Sequence, residues 1–215
     1  MPSAVNSEPP VIPKWKRPGQ TTQQLDWADI KTIDLSAFSS PGGKKKLAEE
    51  LRDAVHTTGF FSVVGTGLTQ QEVDRQYDIG QAYFNLPLKE KGDAAYRCDF
   101  ANGNYFGYRA AHEKKIMGTD VLDNVESVNI PKLIASNEHE PFHPYLRTFR
   151  TEIEDFSRRS LDIASKIFTL FSIILELPEN YFSRQHLYKD NSEGSFPLQN
   201  LLNPLLIVTQ IIYGT

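Results

Sequence analysis

The five residues His139-Glu140-Pro141-Phe142-His143 match the His-Glu-x-x-His spacing with which zinc peptidases hold a metal and activate water. That chemistry needs both histidines on one face of a helix, with the glutamate beside the bound water. Pro141 removes an amide in the middle of the turn and Pro144 follows directly, so a helix across the pair is disfavoured. The segment reads as a solvated loop with two adventitious histidines, and only tight zinc binding lost on His143→Ala would revive a peptidase. His56, His112 and His186 lie far apart without His-x-Asp or His-x-Glu spacing, so local sequence assembles no metal site. Cys98 stands beside Arg97 but has no histidine paired with it, and it reads as inert. No phosphate-binding glycine loop, nucleophile elbow or zinc-binding cysteine spacing occurs.

A second run, Asn102-Gly103-Asn104-Tyr105-Phe106-Gly107-Tyr108-Arg109, has softer chemistry. Its glycines allow tight turns, its tyrosines offer stacking faces and hydroxyls, and its arginine can clamp a carboxylate. Asn102, Tyr105, Tyr108 and Arg109 are therefore the candidates for binding a small molecule, and no catalytic or metal-ligating residue is assigned. The same run also fits a surface loop pinned by buried tyrosines.

The elements that must position these residues are helices interspersed with short strands, an α+β pattern. Lys31 to Leu35 alternates like a strand and ends at the turn cluster Ser39-Ser40-Pro41-Gly42-Gly43. Leu47, Leu51, Ala54 and Val55 then fall on one helical face, with Gly59 as the stop. Phe60, Phe61, Val63 and Val64 form an apolar run that predicts a strand buried on both faces. Thr69 and Glu72 have capping-box spacing for a helix carrying Val73, Tyr77, Gly80 and Phe84 inward and ending at Asn85-Leu86-Pro87. Residues 92–124 are irregular, 125–130 read as a strand, and 145–176 carry the longest helical period.

The chain has 215 residues, 23 basic against 27 acidic, and one cysteine. A mildly acidic balance excludes a bulk nucleic-acid binder, and the lone cysteine points to a reducing compartment, the cytoplasm. Residues 1–25, with their prolines and no apolar period, are expected to be a disordered or extended leader, and any function in them would be docking. Residues 26–190 form the expected domain. From Gly194 to Thr215 no charged residue occurs, so residues 191–215 stand out as an atypical tail. Its apolar run, Leu205 to Ile212, is too short to span a bilayer, so no membrane partner is expected. Unless buried, it is an aggregation liability.

Taken in order, these segments resemble the N-terminal region of the isopenicillin N synthase-like iron(II)/2-oxoglutarate-dependent oxygenases. Ile33-Asp34-Leu35 is similar to the family's opening strand, and Leu47 to Thr58 to its first helix. Gly59-Phe60-Phe61-Ser62-Val63-Val64 resembles its Gly-Phe-Phe-x-Val strand. Tyr83-Phe84-Asn85-Leu86-Pro87 with Lys89 and Lys91 resembles its Phe-Phe-x-Leu-Pro-x-x-x-Lys helix end. Phe106-Gly107-Tyr108 is similar to its Gly-Tyr loop, Val125-Glu126-Ser127 to its Glu-Ser/Thr strand, and Glu179-Asn180-Tyr181-Phe182 to the end of its long helix. Gly65-Thr66-Gly67 departs from the usual Asn-His-Gly.

The resemblance implies short strands that join a double-stranded β-helix, or jelly roll, here incomplete. It also implies iron(II) and 2-oxoglutarate as cofactors of the full-length enzyme, with a small-molecule substrate to hydroxylate, desaturate or cyclise. The family's His-x-Asp, distant histidine and 2-oxoglutarate arginine are absent, so neither cofactor is expected to bind this chain. The expectation is a truncated or alternatively terminated form with a non-homologous end, inactive alone. The alternative is a non-catalytic binding or regulatory fragment that associates with a partner or with itself through an exposed helix face or the tail.

Overall fold

The computed structural model describes residues 10–19, 21–190, 195–201 and 207–209. Contacts divide the chain into two compact units. One comprises Met1–Trp15, Gln71–Ser157 and Asn191–Thr215; the other comprises Lys16–Gln70 and Arg158–Asp190.

In the second unit, β1 (Lys31–Asp34) leads through a turn to α1 (Gly43–Thr57) and back to β2 (Phe61–Val64), which pairs parallel to β1 with Ile33 opposite Val63. Gly43 opens α1 where only a glycine fits, because a Cβ there would lie 1.9 Å from the Ala37 carbonyl oxygen. Leu47, Leu51 and Ala54 turn inward as their spacing predicts, and Leu47 and Leu51 pack with Ile33, Leu35 and Leu170. Val55, expected on that face, is exposed. The strand expected to be buried on both faces is covered on one: Phe61 and Val63 are half-buried, while Ser62 and Val64 face out and Phe60 is 70% exposed. An unbroken apolar run carries no information on how many layers enclose it. The sheet here has two strands, and Thr32 and Ser62 share a hydroxyl hydrogen bond across its open face.

In the first unit, α2 (Gln70–Phe84) begins directly after Thr69 and ends before Pro87, and a short helix α3 (Leu88–Lys91) follows. Its buried residues are Gln76, Asp78, Ile79, Gly80, Tyr83 and Phe84, so the inward face is rotated from the predicted one and Val73 and Tyr77 are only half-buried. The sheet of this unit runs β3 (Gly107–Arg109), β4 (Val125–Pro131), β5 (Ser195–Leu201), β6 (Ile207–Thr209), all antiparallel. Tyr108, Val128 and Leu198 stand in one cross-strand row, and Gly80 of α2 approaches Leu198 closely enough that a Cβ would touch it at 3.8 Å.

Within the stretch expected to be an atypical charge-free tail, Ser195–Leu201 forms β5, in register with β4 from Leu201 opposite Val125 to Ser195 opposite Pro131. Pro197 lies outside the stretch Leu198–Asn200 that also pairs with β6, so β5 is paired on both sides only where every residue carries a main-chain donor. Of the apolar run at 205–212, only Ile207–Thr209 falls within the described residues. The predicted long helix is α4 (Pro144–Arg147) followed by α5 (Arg150–Ile174). Among the described residues no strands close into a barrel, and no helix is long and apolar enough to cross a membrane.

Candidate functional site

Gly107 fixes where the site begins. Its φ is 95°, and a Cβ there would lie 2.5 Å from the Tyr96 carbonyl oxygen and 3.0 Å from Pro141 Cβ. The chain can pass between those groups only as glycine. The next residue, Tyr108, is thereby pressed into the core at 1% exposure, and its carbonyl accepts a hydrogen bond from Cys98 N at 3.1 Å. Its hydroxyl donates to Glu126 Oε2 at 2.8 Å, and Lys91 Nζ reaches the same oxygen at 3.0 Å. The Lys91 ammonium also donates to the Phe84 carbonyl and lies over the rings of Phe84 and Tyr108, 5.8 and 5.6 Å from their centroids. Lys91, Tyr108 and Glu126 come from three separated sequence segments and meet in one buried cluster.

Tyr83 on α2 walls this cluster, fully buried, with edge contacts to Phe84, Tyr108 and His143. Burial, with Glu126 nearby, raises the pKa of both phenols, so both keep their protons. His143 corrects the expectation of a solvated histidine, for it is 4% exposed between the rings of Tyr83 and Tyr96. Its Nδ1 accepts from Tyr145 N at 3.2 Å as the N-cap of α4. Burial holds its pKa below the usual imidazole value, against the smaller opposing pull of Glu90 and Asp93. His139 is exposed and lies 3.2 Å from Glu140 Oε1. The two histidines share no helix, so the zinc pattern builds no site.

Of the predicted binding residues, Tyr108 is in the core cluster and Arg109, the next residue along β3, points to the other face of the sheet. Arg109 Nη1 pairs with Asp123 Oδ2 at 2.8 Å, both side chains largely buried. The other Asp123 oxygen is buried without a hydrogen-bond partner. Asn102 is exposed in a short 3-10 turn and donates to Asp99 Oδ2 at 2.6 Å. Tyr105 is 59% exposed, its ring against Phe100 and its carbonyl accepting from Asn129 Nδ2 at 2.8 Å. Asn104 joins the loop to Glu140 at 3.0 Å. Asn102 and Tyr105 thus lie at the surface, and the four candidates do not converge on one point. Lys91, Glu126, Tyr83 and His143 were not among the candidates, although the first three stand in the family-like motifs and His143 in the His-Glu-x-x-His run. Cys98 is half-buried with its thiol pKa raised by burial, in keeping with inertness.

No three His, Cys, Asp or Glu side chains among the described residues come together, and no His-x-Asp occurs in the sequence.

The family model for the non-haem dioxygenase in morphine synthesis N-terminal region matches residues 30–148, which hold all three members of the buried cluster. The chain belongs to that dioxygenase family. Leucoanthocyanidin dioxygenase 2 of Oryza sativa subsp. japonica is 31% identical over 167 residues, covering 76% of this chain and 43% of the rice protein. The 1-aminocyclopropane-1-carboxylate oxidase of Dictyostelium discoideum is 20% identical over 178 residues, covering 77% of this chain and 47% of its own. The chain therefore spans less than half the length of these curated relatives. Among solved structures, a full-length Neurospora crassa protein in complex with alpha-KG superposes with a TM-score of 0.63 at 18% identity, covering 80% of this chain and 54% of that one. The rice dioxygenase for auxin oxidation gives 0.55 at 18% identity, covering 80% and 52%. The fold is that of the N-terminal portion of a 2-oxoglutarate/iron(II) oxygenase, without a closed barrel among the described residues.

Proposed function

We propose that this chain is the N-terminal, substrate-side portion of an iron(II)- and 2-oxoglutarate-dependent oxidoreductase that acts on a small molecule in the cytoplasm. The observation that carries this reading is the meeting of three family-motif residues, Lys91, Tyr108 and Glu126, in one buried cluster. Sequence motifs that converge in space specify a shared scaffold. On this reading Tyr108 positions β3 from within the core, while Arg109, Tyr105 and Asn102 contribute the wall toward the substrate. Residues 1–215 by themselves hold neither iron(II) nor 2-oxoglutarate and turn over nothing, because the ligand set is missing from their sequence.

The test is iron(II)-dependent release of succinate from 2-oxoglutarate. Purified residues 1–215 should release none and carry no stoichiometric iron. A longer protein sharing this N-terminal sequence and carrying the family's histidines should release it. In that protein Tyr105→Ala, which removes an exposed ring and leaves the buried Arg109–Asp123 pair intact, should raise KM about fivefold with kcat held. Turnover by residues 1–215, abolished by substituting His112, His139, His143 or His186, would overturn the reading.

A further inference from the structure

Residues 10–15 group by their contacts with Gln71–Ser157 and not with the residues that follow them. Ile12 is buried at 8% exposure while its neighbour Val11 is wholly exposed, so the segment lies against the unit on one side. Its anchor is Asp78 on α2, a carboxylate whose side chain is only 2% exposed. A carboxylate is buried at high cost unless its oxygens are satisfied, and both of these are satisfied by the segment. Oδ2 accepts from Lys14 Nζ at 2.9 Å and Oδ1 from Trp15 N at 2.6 Å. Beside them the Trp15 indole stacks on the Tyr77 ring, with centroids 4.4 Å apart and planes within 17°. A main-chain donor, an ammonium and an aromatic face, all met by two adjacent helix residues, are the elements of peptide recognition. The chain that follows, 16–19 and 21–30, has neither helix nor strand and is exposed throughout, which is the character of an open tether.

We propose that the Tyr77–Asp78 face of α2 is a peptide-docking site and that its occupant is this chain's own segment Ile12–Trp15, held as a releasable latch. The site selects an aliphatic residue followed, two and three places on, by a basic and an aromatic one. The latch braces α2 from outside, while Gly80, Tyr83 and Phe84 of the same helix serve the sheet and the buried cluster from inside. This holds whether or not a longer protein oxidises a small molecule.

The test uses the full chain labelled with 5-fluorotryptophan and carrying Trp27→Phe, so that Trp15 alone reports. Asp78→Asn should move the fluorine resonance to the position of a solvent-exposed indole. It should also raise chymotryptic cleavage after Trp15 about tenfold, the loss expected for one charge-assisted bond, with the thermal transition of the rest retained. Lys14→Met, at a side chain 77% exposed, should act in the same direction more weakly, and it decides the matter should Asp78→Asn fail to fold. An unlabelled peptide of residues 10–17 should displace the tethered segment saturably, in the millimolar range set by a short tether. Cleavage and resonance unchanged in the variants, or a resonance indifferent to the peptide, would overturn the latch.

Discussion

The two units are built on opposite principles. The unit of β1, α1 and β2 closes on Ile33, Leu35, Leu47, Leu51 and Leu170, an apolar cluster with no buried charge in it. The unit of α2 and β3 to β6 places Lys91, Glu126, Tyr108, His143 and Asp78 inside, each met by specific partners or rings, and Tyr83 beside them, held by its ring contacts with its hydroxyl lacking a hydrogen-bond partner. Apolar burial is non-directional and forgives repacking, whereas a buried polar set fixes one geometry and is costly when half-satisfied. The difference shows where precision is kept: the apolar unit supplies cohesion, and the polar unit supplies the position of β3 and its loop.

The contrast is sharpest where one member of the polar set is removed. Glu126→Leu leaves the Lys91 ammonium buried without its carboxylate and should destabilise by about 3–5 kcal/mol in urea unfolding. Leu51→Ala in the apolar unit should cost about 3 kcal/mol by the same measurement, from a cavity at a site of zero exposure. Gly107→Ala should cost about 2 kcal/mol, since alanine must take a left-handed backbone while its Cβ meets the Tyr96 carbonyl. The smallest effect belongs to His143. Burial keeps its folded-state pKa below 6.5, so the unfolded chain takes the proton first. Its contribution is whole above pH 6.5 and drains as pH falls through the folded value. The urea midpoint should drop over that window, and less steeply in His143→Asn, which keeps an N-cap acceptor.

The apolar unit was largely legible in the sequence. Leu47, Leu51 and Ala54 are spaced as the helix requires, and Gly42-Gly43 marks the turn. Hydrophobic period announces which face is buried, but it cannot count layers, and for that reason Phe60 and Val64 were misjudged. The polar unit was legible only as motif. Lys91, Gly107-Tyr108 and Glu126 stand 16 to 18 positions apart, and nothing in residue spacing states that they meet. His143 read as solvated because a loop sequence full of proline and polar residues does not reveal the aromatic rings that close over it. Tyr108 was named for a pocket wall on the strength of its aromatic, glycine-flanked run. Alternation along β3 instead sends its side chain inward and that of Arg109 outward. The anchoring of Lys14 and Trp15 was not legible, because their partner Asp78 lies 63 residues from Trp15.

The central claim is that the family's motif residues form a coupled buried scaffold, and a double-mutant cycle on Lys91 and Glu126 tests it most directly. Lys91→Met and Glu126→Leu should each destabilise strongly. The double variant should recover most of the loss, because no charge is then left buried alone. Losses that simply add, with the double variant as unstable as the sum of the two, would contradict the coupling and with it the scaffold.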